Sequence, residues 1–373
     1  MAKAILQQIL AAPRRGQAFL ADRPRVAAGL LALLFLSLAV AGSGVVKPRE
    51  IDFLNPLSAF SSSDFDDYFQ ASKTFSKGED PYRVGQINDL FSMMRSPLDL
   101  GDPLKLAAAI ENLKGVGTYL YPPFTACLLT PLTTLKYEFA AGIFQTLSLL
   151  ALAGYLLYLF RLHRQAREDD APFWLAALAA TALLYRFLDG NAGNGNIGFF
   201  LILFCGGGLL LIFRGPAILE FAGGLLLGLA TVMKITPGFF GLVLIGGRRI
   251  VAIFGMGAGA AFALVAPAGV LGWRQNLDLF GNWYQLIVQT FSEVSFIRPW
   301  MNNQSVSGAI GKLFIPGSDM KQAEYGLPLG NISDQGGTAL FAQGVQAANL
   351  ALVVLGLLTA GFVALRYRKP AGR

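Results

Sequence analysis

The sequence predicts an all-α polytopic membrane protein, and three observations carry that expectation. Hydrophobic residues make up 54% of the 373-residue chain and charged ones only 14%, where an ordinary soluble domain carries about 25% charged residues. The mean hydropathy is +0.51. The apolar residues are also gathered into long runs separated by short arginine- and lysine-bearing stretches, the pattern of helices that cross a hydrocarbon layer.

The first clear span is "VAAGLLALLFLSLAVAGSGVV", 26–46, close to the roughly 20 apolar residues that a crossing helix needs. It follows "APRRGQAFLADRPR", whose Arg14, Arg15, Arg23 and Arg25 place residues 1–25 on the cytoplasmic side. The apolar run is long and its basic lead extended, which argues against a cleaved signal peptide.

Residues 47–118 form a long polar segment in which acidic residues outnumber basic ones. It is expected to be the first external loop. Within it, "DFDDYFQASKTFSKG" and "PLKLAAAIENL" have partial helical periodicity and predict interfacial helices lying along the membrane. Apolar stretches follow at 119–135, 137–160, 172–188, 196–213, 217–233, 236–247, 250–271 and 346–366. Residues 272–345 make a second long external loop, and "NLDLFGNWYQLIVQTFSE" within it is amphipathic enough for an interface. Residues 367–373 are a basic tail. The expectation is one integral membrane domain over 1–373, with about eight to ten membrane segments.

Several function classes lose their footing on composition. The formal charge of +7 would suggest nucleic acid in a soluble protein. Here the basic residues flank apolar segments and read as topology signal and contact with anionic lipid. Cys127 and Cys205 both lie in apolar runs, so a disulfide framework is not expected. The one histidine, His163, sits in the basic stretch "RLHRQAR", which leaves no material for a histidine metal site or a Ser-His-Asp triad.

The motifs that could carry chemistry are sparse. "SSDFDDYF", 62–69, crowds Asp64, Asp66 and Asp67. Successive helical residues are about 100° apart, so the three cannot share one face, whereas Asp64 can align with Asp67 or Tyr68. Two readings stay open for Asp64: a cap or wet face of an interfacial helix, and a functional carboxylate. "KGEDPY", 77–82, is a turn signal. In "YLYPPF", 119–124, Pro122 and Pro123 suit helix initiation. "VMKITP", 232–237, places Lys234 in an apolar context just before a helix-breaking proline. It either faces a cavity or an anion, or snorkels toward headgroups. "RFLDGNAGNGNIG", 186–198, is either a flexible polar loop between spans or a functional element carrying Arg186 and Asp189. "NNQSVSG", 302–308, opens like a helix cap.

In order along the chain, these pieces resemble glycosyltransferase family 87, membrane mannosyltransferases with the C-type glycosyltransferase fold that use polyprenyl-phosphate sugars. The family's "D-F-x-x-Y" and "G-x-D-P-Y" read here as "DFDDYF" (64–69) and "GEDPY" (78–82). Its "Y-P-P" reads as "YPPFTACLLTPL". Its "G-Q-x-N" corresponds to "GNGN" (193–196), with Asn194 where glutamine is usual and Asn196 matching. "K-x-x-P" matches Lys234 to Pro237, and "N-Q-S-x-x-G" matches Asn303 to Gly308. An arginine a little beyond appears as Lys312. The resemblance spans about residues 60 to 315.

The resemblance implies transfer of a sugar, mannose by family, from a polyprenyl-phosphate donor to a glycolipid or glycan acceptor. A phosphate leaving group needs little acid assistance, so the requirements are a base for the acceptor hydroxyl and cations for the phosphate. By motif position the base is Asp64, which partial desolvation would raise toward neutrality. The resemblance also puts Asp67, Tyr68, Tyr82, Tyr121, Asn194, Asn196, Asn303 and Gln304 among the donor- and acceptor-binding residues, with Lys234, Arg298 and Lys312 as phosphate-side cations. No cofactor is required. A divalent cation on Asp64 with Asp66 or Asp67 is chemically allowed but not demanded. The expected setting is a bacterial inner membrane with the site on the non-cytoplasmic face, membrane lipids around it and no nucleic acid partner. The rival expectation is a transporter or flippase for a lipid-linked or small polar solute, in which Lys234 and Asp189 would line the path.

Overall fold

The computed structural model describes residues 24–46, 63–82, 119–166, 171–289 and four positions near 351–358. Among the described residues the chain is helical throughout, with no strand. The helices are α1 (Pro24–Val46), α2 (Asp64–Ser76), α3 (Pro123–Leu129), α4 (Tyr137–Ala166), α5 (Ala171–Asn194), α6 (Gly198–Arg214), α7 (Ala217–Met233), α8 (Phe240–Gly246), α9 (Ile250–Val265), α10 (Ala268–Leu271) and α11 (Trp273–Tyr284). Among the described residues, three helical runs are long and apolar enough to cross a membrane: Gly29–Val46, Tyr137–Arg164 and Ile250–Leu271. Gly198–Arg214, Ala217–Met233 and Thr236–Gly246 are apolar but shorter.

Proline and glycine set most of the helix ends. Pro122 and Pro123 open α3 as N-cap and first turn, where the missing N–H has no carbonyl to meet. Met233 ends α7 because Pro237 offers no N–H to its carbonyl, and Thr236–Phe239 continues as a 3-10 turn. The Asp64–Ser76 helix, expected from periodicity, closes in a Schellman motif: Glu79 N–H donates to Thr74 O at 3.1 Å, Gly78 N–H to Phe75 O at 2.9 Å. Gly78 adopts φ +76, the left-handed turn that this closure uses. The second expected interfacial helix, "PLKLAAAIENL", lies outside the described residues.

Residues 186–194 are helical: α5 continues without a break from Ala171 to Asn194, and only 195–197 form a turn before α6. The flexible-loop reading of "RFLDGNAGNGNIG" is therefore corrected. Its glycines and asparagines ride on a helix whose inner face packs on α1, and that packing outweighs their weak helical propensity.

The chain forms two compact units. The first contains α1, residues Ser63–Phe65 at the start of α2, α4, α5 and the first part of α6. Its core is Leu34, Leu38, Leu152, Ala192 and Phe199, with Leu149, Leu156 and Leu188 against it. The buried positions of α4, among them Ala141, Phe144, Gln145, Ser148 and Leu152, recur at helical spacing. They mark the face turned into the unit.

The second unit holds the rest of α2, the segment from Tyr119 to Thr134, and α7 through α11 with the end of α6. Its axis is the α7–α9 pair, packed backbone to backbone through glycines. A Cβ added at Gly224 would run into Ala252 O, and one at Gly228 into Met256 O. One at Gly255 would meet Phe221 O, and one at Gly259 would meet Leu225 O. Two small-xxx-small stripes, one on each helix, thus face each other, which is how apolar helices gain contact where lipid offers no hydrophobic contrast. At one end of this pair Arg249 lies 3.8 Å from Glu220 and 5.0 Å from the centre of the Phe213 ring.

Candidate active site

In the first unit the site is built around Asp64, the first residue of α2. Phe65 beside it is fully buried, its ring 4.7 Å from Phe144 and 5.8 Å from Tyr137. Tyr137 in turn donates to Val45 O at 3.0 Å. Phe65 thus anchors the opening of α2, and Asp64 is held at a half-buried position next to that anchor. The carboxylate Oδ2 accepts the side-chain N–H of Asn196 at 2.6 Å, across 132 positions of sequence.

The orientation of Asn196 is fixed at both ends. Its Oδ1 accepts the backbone N–H of Gly198 at 3.0 Å, and a backbone N–H can meet only the oxygen. The nitrogen must therefore face Asp64. The same bond ties Asn196 to the first turn of α6, whose free N–H groups and dipole favour negative charge. Gly195 makes the turn possible: it has φ +65, and a Cβ there would lie 2.7 Å from Phe65 Cβ and 3.0 Å from Val45 Cγ1. Asn196 N–H donates to Asn191 O at 3.0 Å and Gly195 N–H to Ala192 O at 3.2 Å. An amide committed at both ends holds the carboxylate it meets in one orientation.

Asn194 has a different place from Asn196. It ends α5 and is exposed, so the two asparagines of "GNGN" do not act alike. Asp66 and Asp67 are half-buried, and Asp66 Oδ1 receives Gln70 Nε2 at 3.4 Å. No cluster of three or more His, Cys, Asp or Glu able to hold a metal occurs among the described residues.

In the second unit, three of the motifs meet in a cluster of tyrosines. Tyr68 donates its hydroxyl to Tyr121 Oη at 2.9 Å, the two rings edge-on at 5.0 Å. Tyr82 donates to Tyr121 O at 2.8 Å, and an Asp80 carboxylate accepting Tyr82 N–H at 3.0 Å turns it inward. Tyr119 donates to Pro122 O at 2.9 Å. Trp283 of α11 donates to Leu120 O at 3.1 Å, and Gln275 of α11 donates to Gly78 O. Burial pushes the Tyr82 phenol well above its usual range, with Tyr119 and Asp80 adding to the effect. Burial likewise raises Tyr119. Both remain neutral donors.

Lys234 is the C-cap of α7, with extended backbone and an exposed side chain. Arg298, Asn303, Gln304 and Lys312 lie outside the described residues. Sequence reasoning passed over Tyr119, Trp283 and Gln145. Gln145 is buried in α4 and donates its side-chain N–H to Ala192 O at 3.0 Å. Its signal was a lone amide within an apolar span, where polar groups need partners.

No curated protein and no solved structure matches the chain. The sequence profile that does match covers residues 119–373; Asn196 lies inside that range and Asp64 before it. On that match, over most of its length, the chain belongs to glycosyltransferase family 87.

Proposed function

We propose that this glycosyltransferase moves a sugar, mannose by family resemblance, from a polyprenyl-phosphate donor to a hydroxyl of a glycolipid or glycan acceptor, with Asp64 as general base. The observation that supports this reading is the 2.6 Å hydrogen bond from Asn196 to the Asp64 carboxylate. It ties the one carboxylate favoured by the motif pattern to a residue inside the family-matched region.

In the proposed step Asp64 takes the acceptor hydroxyl proton while that oxygen attacks the anomeric carbon. The carbon–oxygen bond to the phosphate breaks, and polyprenyl phosphate leaves with the electron pair. Attack from the opposite face inverts the centre, so a β-phosphate donor yields an α-linked product. Lys234, Arg298 and Lys312 are the cations proposed to meet the leaving phosphate. Asp67, Tyr68, Tyr82, Tyr121, Asn194, Asn303 and Gln304 are proposed to shape the donor and acceptor sites. The reaction as proposed needs no metal. The placement of basic residues in the sequence supports an orientation with the site on the non-cytoplasmic face; the proposed setting is a bacterial inner membrane.

The test is a transfer assay with purified protein, polyprenyl-phosphate mannose and a membrane glycolipid extract, comparing wild type with Asp64→Asn. Transfer by wild type and its loss in the variant is the expected result. Equal activity in both would remove Asp64 from the role of base. No transfer by wild type from any of several polyprenyl-phosphate sugars would overturn the donor assignment.

A further inference from the structure

We infer that Gln145, buried within a helix long enough to cross the membrane, is a positioning residue that acts through the 192–198 turn and Asn196 on the Asp64 carboxylate. The inference rests on the proposed role of Asp64.

An amide inside an apolar helix needs a partner. Gln145 Nε2 finds it in Ala192 O at 3.0 Å, two residues before α5 ends. A carbonyl only accepts, so the nitrogen must be the atom that faces it. The same carbonyl receives Gly195 N–H at 3.2 Å, so one oxygen joins the α4 side chain to the left-handed residue of the turn. Gly195 is followed directly by Asn196, which binds Gly198 N–H with its oxygen and Asp64 with its nitrogen.

Space for Gln145 is set by α1. A Cβ at Gly42 would lie 3.0 Å from Gln145 Oε1 and 3.5 Å from Ala192 O, and a Cβ at Gly195 would lie 3.3 Å from Gln145 Nε2. Three helices therefore close around one amide, and each contact lies within the first unit. Gln145 touches neither Asp64 nor Asn196 in any bond described above. Its leverage is geometric: it holds the end of α5, and the end of α5 sets where the Asn196 amide points. A displacement of about 1 Å at a reacting group can cost on the order of a hundredfold in rate, so a support of this kind matters for turnover.

Two variants probe the contact. Gln145→Met keeps length and removes the donor, while Gly42→Ala keeps the amide and presses on it. The first readout needs no activity. In a background lacking Cys127 and Cys205, Asp64→Cys and Asn196→Cys are joined by a short bis-methanethiosulfonate, which forms a disulfide with each cysteine and releases methanesulfinate. Joining should be efficient in that parent and several-fold slower after Gln145→Met or Gly42→Ala. An unchanged rate in both would overturn the inference.

The second readout is a double-mutant cycle on transfer. Gln145→Met should lower kcat on the order of tenfold, leave the acceptor KM nearly unchanged, and cost nothing further when Asn196 is already alanine. An equal loss in the presence and absence of Asn196 is what a merely structural residue would produce, and it would refute the positioning role. If wild type transfers no sugar, the functional proposal fails on its own, while the thiol experiment still decides the geometry.

Discussion

Asn196 donates its side-chain amide to the Asp64 carboxylate at 2.6 Å and spends its other end on Gly198 N–H. A side chain committed at both ends holds its partner in one orientation. A hydrogen bond to a charged group is worth about 1.5–3 kcal/mol. Asn196→Ala should therefore lower kcat by roughly tenfold to a hundredfold, with a smaller change in KM, as read by steady-state transfer. Asn196→Asp places a second carboxylate against the first, and its loss should be at least as large.

Asp64→Asn keeps the shape of the side chain and removes the proton acceptor. General base catalysis contributes about 10²–10⁴-fold, so activity should fall by that order while the melting temperature stays close to wild type. Activity of wild type should decline as pH is lowered and the carboxyl protonates. Loss of activity together with a large drop in melting temperature would point to a structural role instead.

Gly195, in the turn that carries Asn196, has φ +65 and no room for a Cβ against Phe65. A non-glycine residue in that backbone region costs about 1–2 kcal/mol, and the clash adds to it. Gly195→Ala should lower the melting temperature and reduce transfer together, whereas Gly142→Ala, where a Cβ meets nothing within 4 Å, should do neither.

The buried phenols give a pH signature. Tyr82 and Tyr119 are both raised above the ordinary value of 10.0. Folding therefore keeps protons that the unfolded chain releases above that pH. Their contribution to stability is complete below about pH 10 and is lost as pH rises beyond it. A spectroscopic titration should show these two tyrosines resisting ionisation until the protein unfolds. Tyr82→Phe leaves Tyr121 O without its donor and should cost about 1–3 kcal/mol of stability.

The α7–α9 seam offers a control away from the chemistry. Gly228→Leu would drive a side chain into Met256 O and Ala260 N and should separate the two helices. Cysteines placed across the seam should then crosslink poorly, a loss that Gly257→Ala, in open space, should not reproduce.

Much of the architecture was legible in the sequence because helix and membrane periodicity are local. The stretches 137–160, 196–213, 217–233 and 250–271 lie within a few residues of observed helices. Pro122, Pro123 and Pro237 stand at the expected boundaries. The same local reasoning misjudged 186–194, since glycine and asparagine signal a loop unless a neighbouring helix covers them. In "SSDFDDYF" the 100° rotation per residue already separated Asp64 from Asp66, and motif order singled out Asp64.

Residue types, spacings and hydropathy pointed to helices of membrane length, which the described residues form, and the resemblance to family 87 put Asp64, Tyr68, Tyr82, Tyr121 and Asn196 on a short list. Folding alone distinguished Asn196 from Asn194, joined the phenols of Tyr68 and Tyr82 to Tyr121, and brought Gln145 under Ala192. Each of those relationships joins residues some 40 to 130 positions apart. Local periodicity reports which face of a helix is apolar. Which distant polar atom a buried amide meets depends on how the helices pack, and in an apolar interior that meeting is what the amide's desolvation makes obligatory.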